Sequence, residues 1–131
     1  MRLVADTNTF LAVALDEPEK PWIIQATDSH TLVAPSVLPF EVGNAITALV
    51  KRKALRANEA ADVWDAVAGI PVELMELDIR AAVLLAVQHN LYAYDGYFLQ
   101  CAVESRSPLL TLDQGMRTAA KQLGISVVEQ T

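Results

Sequence analysis

Short apolar runs alternate with longer segments of helical period from one end of this chain to the other. Leu3-Val4-Ala5, Thr31–Ala34, Val72–Met75, Leu109-Leu110-Thr111 and Ser126–Val128 have strand length, and the stretches between them place apolar residues three or four positions apart. That alternation is the pattern of an α/β domain. Local signals set the helix ends: Asn8 as a cap for a helix through Leu15, closed by Asp16-Glu17-Pro18, then a helix over Pro21–Asp28. Pro35-Ser36 opens a long helix to Lys53, with Pro39 tolerated in its first turn. Asn58 caps a helix to Ala68, Asp78 caps one to His89-Asn90, and another runs from Tyr94-Asp95 to Ser105, where Pro108 prevents continuation. The last helix starts at Asp113 or Gln114 and stops at Leu123, with Gly124 in the C′ position. Repeats, low-complexity tracts and Gly-, Pro- or Ser-rich linkers are missing, so residues 1–131 are expected to form one domain around one core.

The charges are segregated. Four stretches that make up just over half of the chain carry one formal charge apiece, and each is an acid: Asp6 in Leu3–Leu15, Glu41 in Ser29–Val50, Asp95 in Ala81–Val103 and Asp113 in Ser107–Met116. An acid in apolar surroundings is costly unless something cationic meets it, and no Lys or Arg shares these stretches. A divalent metal fits the vacant role, and hard ions such as magnesium or manganese take oxygen ligands of this kind. On the predicted scheme Asp6 and Asp113 follow strands, while Glu41 and Asp95 fall in early helical turns. In an open parallel sheet, that carboxyl edge is where sites assemble.

Each acid also has an ordinary explanation. An Asp at a helix start commonly caps it, which accounts for Asp6, Asp95 and Asp113 taken singly. Glu41 resists this account, because it lies on the row Leu38, Glu41, Ala45, Ala48 among small apolar neighbours. A common cation explains all four.

Composition narrows the function further. The net charge of −6 argues against salt-dependent binding along nucleic acid through many phosphates, although bound metal would change the charge at the site itself. The apolar share of 53% hints at surface reserved for a partner or a second copy. Cys101 is the only cysteine and reads as a buried core residue, in keeping with a reducing, cytoplasmic setting. No signal-peptide pattern and no membrane-length apolar run is seen. His30 and His89 lack ligand-like spacing, and Lys51, Arg52, Lys53 and Arg56 read as the solvated end of the long helix. Trp22 and Trp64 read as core or interface anchors.

In Val4-Ala5-Asp6-Thr7-Asn8, Val33-Ala34-Pro35-Ser36 with Phe40-Glu41-Val42-Gly43-Asn44-Ala45, Tyr94-Asp95-Gly96-Tyr97-Phe98 and Leu109-Leu110-Thr111-Leu112-Asp113, the chain resembles PIN-domain proteins. The similarity is greatest to the toxin ribonucleases of the VapBC toxin–antitoxin group. It implies a parallel sheet flanked by helices, with Asp6, Glu41, Asp95 and Asp113 as an acidic quartet holding Mg2+ or Mn2+, and with Asn8 and Thr111 orienting those acids. It further implies an endoribonuclease acting on RNA through metal-activated water, a VapB-type antitoxin partner and a homodimer. Two departures stand out: Gly96 occupies a position where alanine is common, which is expected to loosen that helix start, and Gln114-Gly115 lacks an extra acid. A response-regulator phosphoacceptor would need a second acid beside Asp6 and a late lysine, and a haloacid-dehalogenase-like phosphatase would need Asp where Asn8 stands. A PIN fold kept as a binding or assembly module with negligible turnover remains the open alternative.

Overall fold

The computed structural model describes residues 1–130. Four parallel strands form one sheet: β1 (Arg2–Ala5), β2 (Thr31–Pro35), β3 (Glu73–Met75) and β4 (Leu109–Leu110), in the order β3-β2-β1-β4. Register pairs Val4 with Val33 and Leu109, and Ala34 with Leu74. Among the described residues seven α-helices flank the sheet: α1 (Thr7–Ala14), α2 (Lys20–Thr27), α3 (Leu38–Lys51), α4 (Ala60–Ala68), α5 (Ile79–Gln88), α6 (Ala93–Ser105) and α7 (Gln114–Gln122). The order means that the chain steps outward from β1 through β2 to β3, then returns to the other side of β1. The crevice between the carboxyl ends of β1 and β4 is thus the switch point of the sheet.

Alternating strand residues are buried on opposite faces of the sheet. Val4, Val33 and Leu109 belong to the larger core cluster with Phe98, Leu99 and Met116, while Leu3 and Leu110 pack with Ala12 and Ile23 in a smaller one. Trp22 is partly buried against that smaller cluster, whereas Trp64 is exposed on α4. Cys101 is fully buried, and burial pushes its thiol up to about 12, so the core reading holds.

Several boundaries differ from expectation for local reasons. The first helix is capped by Asp6, not Asn8, because the Asp6 carboxylate accepts the Thr9 N–H. Residues Pro35 and Ser36 remain outside α3: Pro35 is the last residue of β2, and Ser36 N–H is held by the Met75 carbonyl at 2.9 Å. Asn58 lies in a short 3-10 turn, Ala57–Glu59, entered where Glu59 accepts the Arg56 N–H at 3.1 Å. The expected fifth strand is reduced to one parallel bridge between Leu109 and Val127, since β4 offers an edge only two residues long. Asp78 caps α5 as expected, and Gly124 follows α7 with φ +76°.

Gly96 does not loosen α6. A Cβ there would lie 2.8 Å from the Ala82 carbonyl oxygen and 2.8 Å from Ala86 Cβ, so the missing side chain lets α6 close on α5.

Candidate functional site

Asp6 follows the last residue of β1, and Asp113 stands three residues beyond β4 and caps α7, its Oδ2 accepting the Met116 N–H at 2.7 Å. Glu41 occupies the first turn of α3 and Asp95 the first turn of α6. These four elements meet at the switch point. All four carboxylates line one cavity of about 50 Å3, completed by Thr7, Asn8, Phe98 and Met116. Larger hollows exist, up to about 580 Å3 between α1 and α3, but four acids converge in none of them.

Asp6 is buried, and both of its oxygens are engaged. Oδ1 accepts from the Thr9 N–H at 3.1 Å and the Thr9 hydroxyl at 2.6 Å, and Oδ2 accepts from the Thr111 hydroxyl. Thr111 is itself fully buried, and its oxygen accepts the Asp113 N–H at 3.0 Å, so one hydroxyl ties two of the acids together. Arg117 donates to the Thr111 carbonyl at 3.0 Å and steadies the same loop.

Electrostatics follow from this crowding. Burial raises the pKa of Asp6 above the ordinary carboxylate value; hydrogen bonds from Thr111 and Thr9 offset part of the rise, and the Asp113 charge adds to it. Glu41 is raised by burial first, then by Asp95 and Asp6, with the nearby Thr7 hydroxyl acting in the opposite sense. Asp95 is raised by burial, then by Asp113 and Asp6. The acids thus feel one another across the cavity.

The donor set fits a hard divalent cation. Glu41 Oε2 and Thr7 Oγ1 are buried, and although the two groups are near enough for Thr7 to favour the Glu41 anion, neither atom completes a hydrogen bond. An orphaned buried carboxylate oxygen is what a cation satisfies. Among the described residues no three His, Cys, Asp or Glu groups are spaced to chelate one ion directly.

A PIN domain family model matches residues 3–122, and the chain belongs to that family. Its similar relatives include Ribonuclease VapC3 of Pyrobaculum aerophilum, 27% identical over 122 residues that cover 87% of this chain and 91% of that protein. Among solved structures, PAE2754 from Pyrobaculum aerophilum superposes with a TM-score of 0.70 at 19% identity, over 98% of this chain and 84% of that one. VapBC2 from Rickettsia felis, bound to a DNA fragment from their promoter, gives 0.66 at 12% identity over 98% of both chains. FitAcB from Neisseria gonorrhoeae gives 0.55 at 20% identity over 97% and 96%. At these identities the structural likeness speaks for the fold.

Of the six expected site residues, Asp6, Glu41, Asp95 and Asp113 come together at the cavity and Thr111 bonds two of them, Asp6 and Asp113. Asn8 is exposed at the mouth of the cavity, and no hydrogen bond joins its side chain to an acid among the described residues. Thr9 takes the orienting role instead. Its position three residues after Asp6 is the capping distance, a signal available in the sequence. Thr7 and the apolar floor of Phe98 and Met116 carried no such signal. His30 Nδ1 lies 2.9 Å from the Asp28 carbonyl and His89 Nδ1 lies 3.1 Å from Gln122 Oε1, both outside the cavity. Lys51, Arg52, Lys53 and Arg56 are exposed at and beyond the end of α3.

Proposed function

We propose that this chain is a Mg2+- or Mn2+-dependent endoribonuclease of the VapC type, the toxin component of a type II toxin–antitoxin system, with residues 1–131 as one nuclease domain. The observation that carries the reading is the convergence of Asp6, Glu41, Asp95 and Asp113 on one cavity that also contains an unpartnered buried carboxylate oxygen. The similarity to Ribonuclease VapC3 supports RNA as the substrate, and the likeness to VapBC2 and FitAcB supports a VapB-type antitoxin as partner. In this reading the antitoxin covers the site and carries operator DNA binding, the active form is a homodimer, and the protein works in the cytoplasm. Among the described residues no helix is long and apolar enough to cross a membrane.

A divalent ion bound by these carboxylates supplies acidified water and relief of charge on the phosphoryl oxygens. The chain's residues do the rest. Asp6 and Asp95, together with Glu41 and Asp113, would hold the ion. Thr9 and Thr111 hold the Asp6 carboxylate in one orientation, so little rearrangement accompanies binding. Phe98 and Met116 keep bulk water from the floor and strengthen the local field. Both histidines lie outside the cavity, and hydrolysis at this site would leave a 5′-phosphate and a 3′-hydroxyl.

Purified protein incubated with structured RNAs in manganese, then in chelator, tests the proposal. Metal-dependent cleavage with 5′-phosphate ends is expected. Protein that binds manganese by calorimetry yet cuts no RNA would favour the binding-module reading instead.

A further inference from the structure

A long polyanion that reacts in a cavity of about 50 Å3 must continue along the surface outside it, and the surroundings decide its direction. Of the four larger hollows among the described residues, only the groove between α1 and α3 shares a lining residue with the acidic cavity: Asn8 belongs to both. Leu112, the neighbour of Asp113, lines that groove as well. The groove therefore opens from the mouth of the site, and at about 580 Å3 it is much the roomier of the two.

Helix α3 forms one bank. Glu41, Ala45, Ala48 and Arg52 follow the three- and four-residue spacing of a single helix face, so the row that starts on an acid of the cavity ends on a guanidinium. Along the helix axis Arg52 stands about 16 Å from Glu41. Arg52 is exposed, and among the described residues it takes part in no ion pair. It also lies in a run, residues 42–58, that holds four of the ten Lys and Arg and no acid, although the net charge is −6. Glu17 and Glu19 line the groove too, without ion pairs among the described residues, and their charge turns a phosphate away from their bank and toward α3.

Resting on the nuclease reading, we propose that the groove between α1 and α3 is a subsite for the RNA backbone, in which Arg52 binds a substrate phosphate a few nucleotides from the scissile bond. A strand advances about 3.4 Å or more per nucleotide, which puts that phosphate within about five nucleotides of the cut. Arginine suits the task, because its planar fork of N–H donors matches two phosphate oxygens at once. One such contact adds affinity without making an acidic protein a general binder of nucleic acid.

The test uses the full chain with manganese and labelled RNAs that share one cut site and extend from it by about one or about eight nucleotides, on the 5′ or the 3′ side. Extension on one side is expected to lower KM. Arg52→Gln should raise KM roughly 2- to 10-fold for that long RNA alone, with kcat unchanged because the contact is made equally before and during reaction. The slope of log KM against log salt should fall by about 0.7, the share of one single-strand phosphate. Arg52→Lys should restore both, and Arg80→Gln, which removes the same charge from α5 outside the groove, should change neither. A KM that Arg52→Gln leaves unchanged, an equal rise on short and long RNA, an unchanged salt slope, or an equal response to Arg80→Gln overturns the proposal. So does loss of a dimer in light scattering with KM unaffected, which would assign the groove to a protein. Should the parent cut no RNA, the nuclease reading fails separately. The long RNA then reports binding by fluorescence anisotropy: a salt slope lowered in Arg52→Gln supports the subsite, and an equal slope or no binding overturns it.

Discussion

Asp6 caps α1 and lines the acidic cavity with the same carboxylate, so capping and a place in the site are not alternatives. Asp113 does likewise at α7, while Asp95 caps nothing. The lone charges in apolar stretches made these acids visible in the sequence. Of the hydroxyls around them, Thr111 was expected from the resemblance and Thr9 stood at the capping distance from Asp6, whereas Thr7 was not visible, because a threonine in a first helical turn reads as an ordinary surface residue until the strand beside it is placed. Thr111→Val tests the hydroxyl that joins Asp6 to Asp113: with both partners left short of a bond, unfolding free energy in urea should fall by about 1–3 kcal/mol. Asp95→Asn should act in the opposite direction on metal-free protein. Burial and the charges of Asp113 and Asp6 raise the Asp95 pKa, so its folded state favours the protonated form. Stability from this group is present in full below its unfolded value near 3.8 and is lost as pH rises through the higher folded value. The variant should therefore match the parent at low pH and exceed it near neutrality. Solvent screening at this half-buried position keeps the gain on the order of 1 kcal/mol or less. Thermal unfolding across pH 4–8 without metal checks this, and a variant less stable at neutral pH would refute the crowding of acids.

The helices show how far local signals reach. Asp78 at the start of α5, Pro39 within the first turn of α3 and Gly124 after α7 were all legible, because caps, proline geometry and left-handed turns depend on residues a few positions apart. Two features depend on elements distant in sequence and were not. The end of the chain pairs with β4 through a single bridge, which the length of β4 decides, and Gly96 is set by α5 rather than by the start of its own helix. Helix propensity alone would make Gly96→Ala stabilising by up to about 1 kcal/mol. Contact at 2.8 Å with a backbone oxygen of α5 argues the reverse, and the variant should lose about 1–3 kcal/mol in urea unfolding while retaining its far-UV helix signal. Asp95 sits one residue away, so manganese affinity should fall with it.

At the scale of the molecule, the sheet order β3-β2-β1-β4 brings four acids from four separate segments to one crevice. A shared ion would make metal binding a contribution to folding stability. Manganese at a hundredfold excess over its Kd should add about 2.7 kcal/mol, or a Tm rise of roughly 5–20 °C. Chelator should reverse the rise, and calorimetry at neutral pH checks both; no metal-induced shift would count against the site. Alternating apolar runs and helical periods, together with the isolation of four carboxylates from every basic residue, were determined by the sequence alone, since hydrophobic periodicity and charge are properties of neighbouring residues. Which strand lies beside which and how closely α6 meets α5 were decided only in the tertiary structure. Each of those depends on packing between segments far apart in the chain, where distances are set by the whole core and not by any local run of residues.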